Sequence, residues 1–423
     1  MIVPVILTIV LLILVCVDFH KGFLLFGTLF FFLKYIPGIS NFSMFFLCSC
    51  VLLFMSLRKY RKRWRPVPRP ILFTSLLMIG CWLITEFVSG YHNFIGWFNL
   101  VACTFVYPWL MWQYLDSPKK TIRFVKSLVA SFLLIQLYGA FQEFFHINPL
   151  YSILSNQFTG SPGSYRFGVF RINSFMAFSS TYGTFSACMF FLLWQIRNKS
   201  DVLRRGICLP NHMVSYRLLI TFAVFGVVCC ATRSCYIMFV VMLFGVIMDK
   251  LDSNMSRRVV LYSVLGFFLL VAYLADLPKL IDNLVSFISD SAEGSSSDMR
   301  ENQLEICLYW VKDSQWWGLG RNFIFQVLAL KDDKIYGAES VWFRLIVDYG
   351  YVGCATYTLW VLSIMYVLWQ YNRYYIAIPL ALLIGKTTSI LIDVDFEYFL
   401  WMAVVLMKCH QYLFKKKLDL IRV

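Results

Sequence analysis

The chain has 423 residues, 60% of them hydrophobic and only 14% charged, with a mean hydropathy of +0.68. Soluble domains are about half apolar and a quarter charged, so the composition excludes a string of soluble domains and favours one polytopic membrane bundle. The net charge of +15 would suggest nucleic acid in a soluble protein. Here the basic residues gather in short loops between apolar runs, where they read as topology, and nucleic acid is not an expected partner.

Apolar runs cover 2–17, 22–36, 39–57, 71–89, 94–115, 127–145, 176–194, 218–231, 235–248, 259–275, 341–369, 376–392 and 397–414. The first two are short and split by Asp18-Phe19-His20-Lys21, so they form a broken hairpin or a re-entrant element. That gives an all-α fold with about 12 crossings, give or take one. Alternating ten-residue β patterns are absent, and every backbone group in lipid must be paired internally, so the spans are helices. Ile2–Val17 lacks a basic leader and a small-residue cleavage site and reads as a retained span.

The basic loops Arg58–Arg69, Lys119–Lys126, Arg197–Arg217 and Lys250–Arg258 and the tail Lys415-Lys416-Lys417 belong in the cytoplasm by the positive-inside rule. Counting back from the tail leaves the 146–175 loop, the turn Ala231-Thr232-Arg233-Ser234 and the 276–340 loop outside. Three regions follow: spans with short loops over 1–275, a large outer loop over 276–340, and C-terminal spans over 341–423. The cysteines sit mostly in apolar runs, where they act as small hydrophobes. No Cys-x-x-Cys or His/Cys spacing suggests zinc.

Arginine outside runs against the positive-inside rule, so each outer arginine needs a reason. Arg166 and Arg171 lie in the first outer loop, Arg233 in the tight turn, and Arg300 and Arg321 in the large loop. Their planar forks suit phosphate oxygens. The alternatives are pairing with loop acids, which weighs most for Arg300, and snorkelling to lipid headgroups. Arg300 to Trp317 reads as an amphipathic helix with Leu304, Cys307, Leu308 and Val311 at helical spacing, lying on the bundle or membrane surface. Trp310, Trp316 and Trp317 are interfacial anchors or sugar-stacking platforms. Glu339 opens a helix on which Arg344 and Asp348 stand one turn apart and pair. Asp393-Val394-Asp395 has the Asp-x-Asp form of a metal motif, but as a lone tripeptide it is weak. Lys386, inside a span, faces the bundle and has Asp393 and Asp395 as candidate partners.

In order and spacing these pieces resemble the bacterial O-antigen polymerase and O-antigen ligase superfamily. The resemblance rests on the arginine segment before the small-residue span (Arg166–Gly183), the turn Ala231-Thr232-Arg233-Ser234, Arg300 with Gly318-Leu319-Gly320, and Asp348-Tyr349-Gly350-Tyr351-Val352-Gly353. The ligases carry a His-Asn type dipeptide where the last loop enters the membrane, and this chain has Glu339-Ser340 there. That departure favours polymerase over ligase.

The resemblance implies a polymerase of undecaprenyl-diphosphate-linked oligosaccharide repeat units in the bacterial plasma membrane. It would transfer the growing glycan to an incoming unit at the outer face. Diphosphate is a good leaving group, so arginines can stabilise its charge with no metal or cofactor. Arg171, Arg233 and Arg300 are the expected clamps and Glu339 the expected base. Arg166, Arg321 and Arg344 are the expected substrate contacts. Membrane lipids, a chain-length regulator and a flippase are expected partners. Ligation to another acceptor, or transport of lipid-linked sugars, are the alternatives.

Overall fold

A computed structural model describes residues 13–33, 51, 53–55, 65–149, 165–166, 169–176, 179–200, 207–209, 212–252, 297–331, 335, 340–387 and 396–414. The chain is an all-α polytopic membrane protein, and the strands among the described residues are two short hairpins. Helix α1 (Phe19–Leu33) follows a break at Asp18, whose carboxylate accepts from His20 N and Lys21 N at 3.0 and 3.2 Å. The expected split is therefore a capped helix start. The chain bends sharply there, since a methyl group on Gly22 would lie 2.5 Å from Val15 Cα.

Next come α2 (Arg69–Val88), α3 (Phe94–Val101), α4 (Tyr107–Tyr114) and α5 (Pro118–Phe145). A wide turn over Ala102–Val106 joins α3 to α4. Helix α5 starts well before its apolar run, and carries Lys119, Lys120, Arg123 and Lys126 in its first turns. Strands β1 (Tyr165–Arg166) and β2 (Val169–Phe170) pair antiparallel. Helix α6 (Ser179–Lys199) is followed by the hairpin β3 (Ile207–Leu209) and β4 (His212–Val214). Then come α7 (Tyr216–Cys229), α8 (Arg233–Asp252), α9 (Ser297–Val311), α10 (Val341–Tyr371), α11 (Ala377–Thr387) and α12 (Phe396–Cys409). Among the described residues α2, α5 and α10 are long and apolar enough to cross a bilayer.

Helix α6 is the axis of the bundle. Thr181 to Leu193 are buried on every face, as expected for a helix enclosed by others. It packs on α7 and α8, and small residues set the spacing. A methyl group on Gly226 of α7 would fall on Ser186 Oγ and within 2.8 Å of Gln136 Oε1. Gly226→Val is therefore expected to lower the thermal midpoint of the detergent-extracted protein, by the ~1–3 kcal/mol typical of overpacking. An unchanged midpoint would show that these helices do not approach so closely.

Helices α2 and α10 run antiparallel. Trp360 Nε1 donates to Ser75 Oγ at 3.0 Å, and toward the other end the Trp82 and Tyr349 rings stack at 4.2 Å. Their outward faces carry exposed Phe73, Phe87, Leu359 and Trp369, apolar surface suited to lipid and unsuited to water.

The ends of α6, α8 and α10 meet where Asp249 binds Lys199 Nζ at 2.8 Å and accepts from Asn372 Nδ2 at 3.1 Å. The starts of these three helices, and the end of α2, therefore share the opposite pole. The Asp249 pole also carries Lys120, Arg197, Lys250 and Arg373. Lys386 is buried in α11, as expected for a cation inside a span. The Asp393-Val394-Asp395 turn lies outside the described residues.

Candidate functional site

At the pole away from Asp249 two polar clusters form. The first is built on the segment after β2. Ile172 N donates to Cys229 O at 3.0 Å, which fastens the segment to the end of α7. Ser174 N donates to Gln142 Oε1 at 2.9 Å, Gln142 Nε2 to Ser174 O at 3.2 Å, and Ser174 Oγ to Ile135 O at 2.7 Å. Arg171 is thus presented from backbone held on both sides, by α5 and by α7.

The Arg171 guanidinium donates through Nη2 to Ser179 Oγ at 2.8 Å, and Ser179 Oγ lies 3.4 Å from Thr232 Oγ1. Arg171 Nε is buried and meets no hydrogen-bond acceptor among the described residues. Thr232 stands at the head of α8, its carbonyl accepting from Cys235 N at 3.0 Å and Tyr236 N at 3.3 Å. The preceding turn is tight, with Ala231 at φ 45. Arg233 is the first residue of α8, so the turn sits at the positive end of a helix dipole. Arg171 and the Arg233 turn, far apart in sequence, are joined here through Ser179 and Thr232.

The second cluster is made by a broken helix. Gly350 in α10 has φ 63 and ψ −162, a conformation open to glycine and costly for other residues. The break frees backbone groups that the 315–320 segment takes up. Leu319 N and Gly320 N donate to Val347 O and Asp348 O at 2.8 and 3.0 Å, and Tyr351 N and Val352 N donate to Gln315 O and Trp316 O at 2.8 and 3.1 Å. Irregular backbone at such a place is tolerated because protein covers it.

Buried Asp348 then accepts from Asn322 N at 2.8 Å, Ile324 N at 3.2 Å and Arg344 Nε at 3.2 Å. The expected Arg344–Asp348 pair is present, and Arg344 Nη2 also donates to Asn322 Oδ1. Arg321, 1% exposed, donates through Nη1 to Tyr349 OH at 3.1 Å. Its backbone N donates to Glu86 Oε1 at 2.9 Å, while Glu86 Oε2 accepts from Asn93 N at 2.7 Å. Arg321 and Arg344 thus lie inside a network that joins the large loop to α2 and α10. Glu86 has no signal in the sequence, and Tyr349 and Gly350 enter it only as part of the motif at 348–353. The sequence's only trace of this arrangement is the recurrence of Gly-x-Gly and Gly-x-x-Gly.

Helix α9 ends at Val311, short of the expected Trp317, because 315–320 is drawn into the α10 break. Only half of its apolar stripe is packed. Cys307 and Val311 join Ile324, Leu328, Phe343 and Val347 in a small core, whereas Leu304 and Leu308 are exposed. Burial pushes the Cys307 thiol up to about 12, so it stays protonated. Trp310 packs half-buried near Phe323, and Trp316 is exposed beside Tyr351. Arg300 belongs to the first turn of α9, and Arg166 pairs with Val169 in the β1–β2 hairpin. Glu339 lies outside the described residues.

A family model described as O-antigen ligase matches residues 218–358, from α7 into α10. The match spans Arg233, Arg300, Arg321, Arg344, Asp348 and Gly350 and leaves Arg166 and Arg171 outside it. No curated protein matches the chain. Together the matched region and the membrane bundle support the O-antigen ligase and polymerase superfamily, and with it membrane-embedded glycan transfer of that general type.

Proposed function

We propose that the chain polymerises undecaprenyl-diphosphate-linked oligosaccharide repeat units at the outer face of the bacterial plasma membrane. The observation that carries this reading is Arg171, held on Ser179 beside the Thr232–Arg233 turn with one buried N–H left unmatched. A rigid cation next to a helix N-terminus is suited to an oxyanion, and a leaving diphosphate gains charge as its bond to the sugar breaks. Arg171 and Arg233 act as clamps on that diphosphate, with Arg300 a third and Arg166 in support. The acceptor hydroxyl gives its proton to a carboxylate, for which the sequence nominates Glu339. Arg321 and Arg344 serve the substrate indirectly, by holding the large loop to α2 and α10. The basic pole faces the cytoplasm, and a chain-length regulator and a flippase are the partners such a reaction calls for.

Removing one donor from an oxyanion site costs about a hundred- to a thousand-fold in rate. Arg171→Ala and Arg233→Ala are each expected to shorten or abolish the polymer ladder in a deletion strain at normal membrane expression. Glu339→Ala tests the nominated base in the same assay. Unchanged chain length in all three variants would end the proposal. The second reading, ligation of glycan to another acceptor, is favoured by the description of the matching family. It predicts a different phenotype, in which lipid-linked polymer persists while its transfer to the final acceptor fails.

A further inference from the structure

The polar pole carries a carboxylate that the sequence reading passed over as a span end. Glu143 lies in the last turn of α5, on the same face as Gly139 one turn earlier. That face looks onto the Arg171 segment, because a methyl group on Gly139 would lie 3.4 Å from Ile172 Cγ2 and 2.5 Å from Tyr182 OH. The Glu143 carboxylate is within electrostatic range of Tyr182 on α6 and of Cys229 at the end of α7. Cys229 is the residue whose carbonyl holds Ile172. His146 follows one turn on, exposed, within range of the same carboxylate, and its ring meets Phe170 edge-on at 5.1 Å.

Glu143 Oε2 and Arg171 Nε are both buried and lack hydrogen-bond partners among the described residues. No ion pair joins these two among the described residues, and buried polar groups without partners mark places where a ligand's groups belong.

The geometry points to Glu143 as the proton acceptor for the sugar hydroxyl attacked onto the donor, a role that rests on the proposed transfer reaction and that Glu143 takes in place of Glu339. In that step the acceptor oxygen forms a bond to the anomeric carbon, and the bond from that carbon to the diphosphate oxygen breaks. Its electron pair leaves with the lipid diphosphate, beside Arg171 and the Arg233 turn. The hydroxyl proton passes to the Glu143 carboxylate, and exposed His146 carries it on to water.

The test uses the full chain in lipid nanodiscs with two probes. Undecaprenyl diphosphate reports binding, and lipid-linked repeat unit extracted from a polymerase-deletion strain reports transfer. Glu143→Gln is expected to bind undecaprenyl diphosphate as wild type does and to transfer about a hundred- to ten-thousand-fold more slowly. Its rate loses the fall at low pH that protonation of a base produces. Glu143→Asp keeps the charge and recovers part of the rate with a displaced acid limb, and this variant decides the matter if Glu143→Gln does not survive extraction. Tyr182, Cys229 and His146 also face the carboxylate, and His146→Gln is expected to slow transfer while keeping the acid limb. Wild-type transfer by Glu143→Gln, an unaltered acid limb in either Glu143 variant, or a binding loss as large as that of Arg171→Ala would overturn the assignment. A wild-type protein that neither binds undecaprenyl diphosphate nor extends the repeat unit would instead overturn the polymerase reading itself.

Discussion

Replacing Asp348 with alanine is expected to destabilise the protein by ~3–5 kcal/mol, the cost of removing one partner of a buried ion pair. Asp348 is wholly buried and holds three donors, the Arg344 side chain and the backbone of Asn322 and Ile324. Without it the Arg344 guanidinium, 3% exposed, loses this carboxylate while it keeps its bond to Asn322 and its place over the Phe325 ring. The turn after Gly320 loses two backbone anchors at the same moment. The expected observation is a lower melting midpoint in detergent together with loss of polymer, although Asp348 is not assigned to the chemistry. A double variant, Arg344→Met with Asp348→Leu, removes both charges and should recover part of the midpoint, since apolar replacement of a whole buried pair is often tolerated. If Asp348→Ala melts like the wild type, the network is not what holds the loop to α10.

The contrast between the two arginine clusters shows what a sequence reading can reach. Bundle architecture was legible, because lipid demands long apolar helices and the runs at α2, α6 and α10 are continuous. The pairing of Arg344 with Asp348 was legible too, as one turn of helix separates them. Arg321 reads as a substrate contact because an arginine in an outer loop runs against the positive-inside rule and its fork suits phosphate oxygens. Its backbone partner Glu86 stands at the end of α2, and its side-chain partner Tyr349 is in α10. Contacts between such distant segments leave no periodic trace.

Helix α5 began earlier than its hydropathy suggested for a related reason. Hydropathy records contact with lipid, whereas a helix continues into water wherever its hydrogen bonds do. Glu143 lies within the apolar run 127–145, where a lone acid near a span end forms no pattern that marks a site. The meeting of Arg171 with the Thr232 turn was implied only by the resemblance. Physically it depends on Ile172 and Ser174 being fastened to different helices, which spacing along the chain does not encode.

The break in α10 carries the other large expected effect. Hydropathy runs through Gly350 without interruption, so the span reads as one straight helix. In the fold a methyl group at Gly350 would stand 2.6 Å from Gln315 O and Trp316 O, at φ 63. One at Gly318, at φ 76, would stand 2.6 Å from Gly350 N and Tyr349 N, and one at Gly320, at φ 106, would fall on Tyr91 O. The three glycines thus form a single device in which two pieces of backbone approach until their N–H and C=O groups can exchange. Gly350→Ala carries a double penalty. The positive φ with extended ψ is a region confined essentially to glycine and costs other residues ~1–3 kcal/mol, and the methyl group pushes on backbone, which cannot turn aside as a side chain can. The helix could relieve both by straightening, and that would expel the 315–320 segment. Gly350→Ala is therefore expected to expose the loop to limited proteolysis near Trp316 and to abolish polymer, with α6, α7 and α8 still folded. Gly80→Ala, on the neighbouring α2, where an added methyl group meets nothing within 4 Å, serves as the comparison and should leave the loop protected. Equal protection of the loop in Gly350→Ala and in the wild type would mean that the segment is held without the break. The Gly-x-Gly and Gly-x-x-Gly pattern would then need another cause.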